Sequence, residues 1–181
     1  MGIIILGLNG CGKTTIGRML AKQLGFFHMD AEDYYFPTPG DYSQSRTEDE
    51  VHRLMAADAG KHDGFVLTCV RCNVPDSILG HIRLAVVLRA APEVRAERIR
   101  QREILRFGSR VLPGGDMYQS QQAFHAFAAA RTEALVDASL DRLACPVVEI
   151  SAELAPEEIL QRIMACLSIP KQNCAWLCST L

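Results

Sequence analysis

Gly7-Leu8-Asn9-Gly10-Cys11-Gly12-Lys13-Thr14-Thr15 decides how this chain is read. Gly7, Gly12, Lys13 and Thr14 fall on the phosphate-loop pattern G-x-x-x-x-G-K-[ST]. Successive backbone N–H groups must curl round a phosphate chain with no Cβ in the way, and Gly7, Gly10 and Gly12 permit that curl. The stretch from Gly7 through Asn9, Gly10, Cys11, Gly12 and Lys13 to Thr14 and Thr15 is the expected triphosphate cradle. Lys13 places a compact positive charge at the β and γ phosphates, and the Thr14 hydroxyl is the expected ligand of a bridging Mg²⁺. Ile3-Ile4-Ile5-Leu6 before the loop reads as a buried strand. After the loop, Ile16, Met19, Leu20 and Leu24 keep helical spacing until Gly25 stops them.

Length and composition set bounds around that loop. A chain of 181 residues is long enough for a proper core and reads as a single domain over 1–181. With 49% apolar and 22% charged residues and a formal charge of −2, nothing points to nucleic acid or an anionic membrane as a bulk partner. The N-terminus enters a strand without a charged leader, and there is no run of eighteen apolar residues, so the expected location is cytoplasmic. Seven cysteines, an odd number scattered through strands and helices, fit reduced thiols. Cys69 and Cys72 form a lone C-x-x-C without the second pair that a zinc site needs.

Charged groups follow in an order that suits a second substrate. Phe26-Phe27-His28-Met29 reads as a second strand ending at Asp30, with Glu32 and Asp33 just beyond. Ligands of open α/β sheets bind past the carboxyl ends of the strands, so Asp30 is expected to face the triphosphate. There it would hold a water on Mg²⁺ or accept a proton from an attacking hydroxyl; the alternative is an acid satisfying a helix N-terminus. Residues 34 to 45, rich in Tyr, Pro, Gly and Ser, read as a mobile loop, followed by Arg46 and a capping box at Thr47-Glu48-Asp49-Glu50. Phe65 to Thr68 is a third strand with Arg71 past its end, where a guanidinium can grip a phosphate or carboxylate.

Leu84 to Leu88 is a fourth strand, and Pro92 opens a helix carrying Arg95, Arg98, Arg100, Arg102 and Arg106. Arg98, Arg102 and Arg106 line one stripe, with Arg110 next in the series. The stripe runs into the glycine-rich segment Gly108 to Gly115, the composition of a closing lid; pairing with Glu93, Glu97 and Glu103 is the competing account. A helix from near Ser120 is expected to bury Phe124, Phe127, Ala128 and Leu135. Val147 to Ile150 reads as a fifth strand and Pro156 as the start of a last helix, leaving Trp176, Leu177 and Leu181 on a tail.

This arrangement resembles the small P-loop kinases, the superfamily of nucleoside monophosphate kinases and shikimate kinases. Arg106-Phe107-Gly108-Ser109-Arg110 and Pro113 to Tyr118 look like a bacterial set labelled adenylate-kinase-like or shikimate-kinase-like. The resemblance implies an α/β three-layer sandwich: a five-stranded parallel sheet in order 2-3-1-4-5 with helices on both faces and a lid. It further implies a substrate-binding segment at 31–62, a lid at 107–118 and a tail at 168–181. Asp30 with Asp33 resembles the acidic pair after the second strand, Arg98 to Arg102 the R-I-x-x-R leading into the lid, and Arg71 the substrate arginine after the third strand. Two departures stand out. Thr68-Cys69 replaces the Asp-Gly common in nucleotide kinases, and Arg71 comes one residue early.

The expectation is a Mg²⁺- and ATP-dependent kinase acting on a small anionic acceptor, as a monomer or homodimer. Lys13, Asp30, Arg102, Arg106 and Arg110 would be catalytic, Thr14 and Asp30 would serve the metal, and Asp33, Arg46 and Arg71 would bind the acceptor. A nucleotide-binding switch or regulatory ATPase is the alternative, although no N-K-x-D motif and no strand ending in Asp-Glu is present. A degenerate, ligand-binding kinase fold is a third reading, motivated by Thr68.

Overall fold

The computed structural model describes residues 1–38, 42 and 44–168. Pro39 and Gly40 of the expected mobile loop, and all of the tail beyond 168, lie outside the described residues.

Five parallel strands form one sheet: β1 (Gly2–Leu6), β2 (Phe27–Asp30), β3 (Phe65–Cys69), β4 (Ile82–Arg89) and β5 (Val147–Ser151), in the order β2-β3-β1-β4-β5. This is the expected order. The apolar run Ile3 to Leu6 is fully buried, as a central parallel strand covered on both faces must be. Each such side chain contributes about 1.5–3 kcal/mol on leaving water. Because all strands run the same way, their carboxyl ends share one edge. Leu6 lies opposite Cys69 and Asp30 opposite Thr68, so the phosphate loop leaves the sheet two strands from Asp30.

Helices surround the sheet. Helix α1 (Lys13–Leu24) ends at Gly25 with φ 68°; it packs on β1, β2 and β3 and carries α8 (Pro156–Leu167) beside it. A short α2 (Ala31–Tyr35) packs on α3 (Glu48–Lys61), which opens with the expected capping box between Thr47 and Glu50. After β3 comes a one-turn α4 (Asp76–Leu79), and after β4 the arginine-bearing α5 (Pro92–Phe107). A 3-10 turn at Gly108–Val111 leads to α6 (Tyr118–Ala130) and α7 (Ala134–Leu140).

The segment after the 3-10 turn corrects the sequence reading. The helix expected from near Ser120 to past Leu135 begins at Tyr118 and breaks at Arg131–Glu133 into α6 and α7. Phe127 is 53% exposed, and Ala128 is the buried residue of α6. Phe127 instead lies under a guanidinium, with Arg131 Cζ 4.3 Å from its ring centroid. An amphipathic pattern cannot distinguish an aromatic packed into a core from one that supports a cation.

Candidate active site

The loop is shaped as phosphate chemistry requires. Gly10 has φ 88°, and a Cβ there would lie 2.5 Å from the Arg95 carbonyl oxygen of α5. Gly12 has φ 83° with no atom within 4 Å of a Cβ position, so its side faces open space. Gly12 is the N-cap of α1, so the positive end of a twelve-residue helix opens at the cradle. Lys13 Nζ donates to the Leu8 carbonyl oxygen at 3.1 Å, closing the loop on itself, and burial lowers the Lys13 pKa. The Cys11 thiol is buried, and burial raises its pKa. Thr15 is exposed at the loop's outer side.

Two carboxylates approach this loop, Asp30 from the end of β2 and Glu32 from α2. The Thr14 hydroxyl donates to Asp30 Oδ2 at 2.7 Å, and Asp30 Oδ1 accepts from the Glu32 backbone N–H at 3.2 Å. Asp30 therefore caps α2, as the helix N-terminal alternative had it, and also touches the phosphate loop through Thr14. Glu32 as a whole residue is exposed, yet its carboxyl is shielded at the site. Shielding from water and the neighbouring Asp30 raise its pKa, while Lys13 and Arg102 pull the other way. Glu32 thus lies within electrostatic reach of the loop lysine and the arginine stripe.

The cations divide into two groups. Arg71 is exposed and close enough to Arg131 to depress its pKa, second to burial, while Glu32 opposes the shift. Arg131 Nη1 donates to Asn9 Oδ1 at 2.8 Å, binding the α6–α7 break to the phosphate loop. Arg71, Arg131, Glu32 and the loop are therefore brought together. Glu32, Arg106 and Arg102 all act electrostatically on the Tyr42 hydroxyl, so Tyr42, between α2 and α3, lies near the end of α5.

The remaining arginines are engaged elsewhere. Arg46 Nη1 donates to the carbonyls of Tyr34 at 2.7 Å and Asp33 at 3.3 Å, fastening the chain before α3 onto α2. The Asp33 residue is exposed. Arg98 donates to the Ala152 carbonyl at 2.9 Å, Arg100 pairs with Glu97, and Arg102 with Glu103 at 2.7 Å. Arg110 forks onto Asp116 with a shortest contact of 2.7 Å. The acid pairing weighed against a phosphate-binding stripe is thus present at Arg100, Arg102 and Arg110.

Arg131 is the residue that the sequence reading passed over, and Glu32 was noted in the acidic cluster without being assigned to the site. Glu32 carried a signal, its place two residues after the strand-ending Asp30. Arg131 carried none, since its partner is 122 residues away. The C-x-x-C is unsuited to thiolate chemistry: burial raises both thiols, Cys72 to about 11. Among the described residues, no cluster of three His, Cys, Asp or Glu side chains suits a metal ion.

Comparison with known proteins fits this geometry. The family model described as AAA domain matches residues 3–106, which covers the loop, the acids and most of α5. The chain belongs to this P-loop family. It is 30% identical over 174 residues to the uncharacterized protein YqaC of Bacillus subtilis (strain 168), covering 92% of this chain and 97% of that protein. It is 33% identical over 107 residues to a shikimate kinase of Mycobacterium marinum, covering 51% of this chain and 56% of that enzyme. A gluconokinase from Sinorhizobium meliloti 1021 shares the fold with TM-score 0.53 and 17% identity, over 92% of this chain and 90% of that one. These relatives make this a P-loop kinase-like protein of a nucleotide-using family. Among the described residues, no helix is long and apolar enough to cross a membrane.

The residues present fit a magnesium nucleotide. The open side of Gly12, the Lys13 ammonium and the helix N-terminus suit a phosphate chain, and the Thr14 hydroxyl beside a carboxylate supplies the hard oxygen donors that Mg²⁺ prefers. The carboxylate at this point comes from β2, since β3 ends in the buried Cys69.

Proposed function

We propose that this protein transfers the γ-phosphoryl group of ATP to a small anionic acceptor. The observation that carries this reading is the 2.7 Å hydrogen bond from Thr14 to Asp30, which puts an acid from the neighbouring strand beside the hydroxyl of the phosphate loop. Magnesium, when bound, supplies charge neutralisation between the phosphates.

The chain's own groups divide the rest of the work. Gly7, Asn9, Gly10, Cys11, Gly12 and Thr15 shape the cradle, and Lys13 leaves the Leu8 carbonyl for the phosphates. Thr14 and Asp30 hold the metal side. Asp30 is engaged with Thr14 and the α2 N-terminus, and Glu32, whose carboxyl is shielded near Lys13, is the carboxylate that receives a proton from an acceptor hydroxyl. Its pKa is raised, by shielding from water and then by Asp30, and a raised carboxylate is a stronger proton acceptor. Arg71 and Arg131 grip the acceptor's anion, and Arg102 and Arg106 share the developing charge. Arg110 joins on closure of the 107–118 lid, giving up Asp116. Asp33 and Arg46 support the acceptor segment 31–62 through the Asp33 carbonyl bond rather than touching the anion. Such positioning and neutralisation are most of what phosphoryl transfer needs.

The test is an acceptor screen that reads ADP release, run on the wild type and Lys13→Met. Acceptor-dependent turnover that falls by about a hundredfold or more in the variant is expected. Full turnover in Lys13→Met would overturn the assignment, and hydrolysis indifferent to every acceptor would favour a nucleotide switch.

A further inference from the structure

A second binding site lies against the flank of the phosphate loop. Between the β4–α5 connection and the α6–α7 break is a cleft of about 530 Å³, lined by Leu8, Ala91, Pro92, Arg95, Ala129 and Arg131 among others. The volume suits a small metabolite. Arg95 is only 6% exposed, and its Nε is buried without a hydrogen-bond partner among the described residues. A buried guanidinium N–H left unpaired costs about 1–3 kcal/mol, so its presence calls for a partner that the chain itself does not provide.

The carboxylates around the cleft already have partners, which leaves its one unpaired buried cation among the described residues to take an anion. Arg89, at the cleft's rim, is already satisfied by Glu133, Asp137 and Glu149 at 2.7–2.8 Å. Glu153 accepts from the Ala91 backbone N–H at 3.0 Å, and one nitrogen of Arg131 goes to Asn9. The cationic capacity left over is that of Arg95, near the N-terminus of the sixteen-residue α5. Leu8, Ala91, Pro92 and Ala129 offer apolar walls to a carbon body.

We infer that this cleft binds a small organic oxyanion, a carboxylate or phosphomonoester with a compact apolar body, whose charged head pairs with Arg95. The site is separate from the triphosphate cradle but shares a wall with it. Leu8 lines the cleft and also receives Lys13, Arg131 joins the cleft to Asn9, and the Arg95 backbone abuts Gly10. An occupant therefore acts on nucleotide affinity, and nucleotide acts on its affinity by the same factor.

The experiment uses the full chain saturated with a non-hydrolysable ATP analogue and Mg²⁺, so that the cradle is filled. Inorganic phosphate and, separately, propionate are titrated while the amides of residues 91, 93–95 and 132 and the Arg95 Nε–H are followed by NMR. Saturable shifts are expected, with the Arg95 Nε–H resonance moving as its proton gains an acceptor. Arg95→Met should weaken binding about tenfold or more, the loss of one charge-assisted pair. A response to phosphate alone assigns a phosphate head, and a response to both assigns a general oxyanion site. Absence of saturable shifts with either probe overturns the inference, as does unchanged binding in Arg95→Met. Shifts seen only before the analogue is added would also overturn it, by returning the cleft to the nucleotide. Should the variant not fold, the wild-type Arg95 Nε–H decides alone.

Discussion

The phosphate loop and the arginine stripe of α5 carry similar chemical promise but are built in opposite ways. The loop is held by backbone: Gly10 against the Arg95 carbonyl, Lys13 on the Leu8 carbonyl, Gly12 opening a helix. The stripe is held by side chains that already have partners, such as Arg102 with Glu103 and Arg110 with Asp116, both half or more exposed at the arginine. A backbone cradle is preorganised, and only the Lys13 side chain has to leave its carbonyl when ligand arrives. A paired arginine must surrender one anion to take another. The difference predicts that perturbations in the loop are severe and those in the stripe are graded.

The largest effect is expected from Gly10→Ala. The φ of 88° costs an L-residue about 1–2 kcal/mol, and overlap with the Arg95 carbonyl adds about 1–3 kcal/mol. Thermal melting should fall, and titration with an ATP analogue should show binding lost even below the melting range. Retained affinity would mean that the cradle tolerates a shift of α5.

Glu32→Gln comes next and separates activity from stability. With its pKa raised, the folded protein holds this proton more tightly than the unfolded chain. Stability from this group is therefore present at low pH and lost as pH rises from 4.5 through the folded value. Removing the charge should raise the melting temperature at neutral pH while lowering kcat about a hundredfold, the usual worth of a general base. The wild-type kcat/KM should rise with pH along a limb whose midpoint is above the ordinary Glu value of about 4.3, and the variant should lack that limb. A variant that loses stability as well as activity would make Glu32 a structural acid.

The loop and the stripe also differ in how far they could be read from sequence. The loop, its flanking strand and the order of the sheet were legible because they rest on local demands: φ above zero, a buried apolar run, a helix start. The stripe's residues were legible as arginines, but their partners were not. Arg98 bonds a carbonyl 54 residues away and Arg131 a loop residue 122 away, and no periodicity encodes such contacts. Phe127 shows the same limit, since helical spacing placed it in the core while the structure leaves it as a platform for Arg131. Asp30 was legible because a strand end fixes its position, whereas Glu32 needed the turn of α2 to bring its carboxyl toward Lys13.

A smaller effect is expected where the acceptor segment is fastened. Tyr34 donates to Asp58 Oδ2 at 2.9 Å, and Asp58 has a lowered pKa, chiefly through Lys61 and then through this hydroxyl. A lowered carboxylate contributes stability above its unfolded value of 3.8 and loses it as pH falls through the folded value. Tyr34→Phe should cost about 1 kcal/mol at neutral pH by denaturant unfolding, with the gap narrowing in acid as Asp58 protonates. A gap constant with pH would show that packing, and not the bond to the carboxylate, is what the hydroxyl supports.

The smallest effect is expected at Arg110, and it tests the comparison most closely. Arg110 and Asp116 are 58% and 64% exposed, so neither the pair nor its loss should move the melting temperature measurably. If the 107–118 segment closes as proposed, Arg110 exchanges a carboxylate for a phosphate, two anions held by similar forks, and the net gain is the small difference between them. Arg102 differs because it already acts on Glu32 and on the Tyr42 hydroxyl at the site. Arg102→Ala should therefore lower kcat/KM by about tenfold, the worth of a charge-assisted contact, and Arg110→Ala by about twofold. Asp116→Ala offers the inverse check: freeing Arg110 from its partner removes the cost of exchange, so kcat should hold or rise slightly. If Arg110→Ala proves the more damaging of the two arginine variants, the lid end of the stripe is preorganised in the closed state. The contrast between a backbone cradle and a side-chain stripe would then describe only the open enzyme.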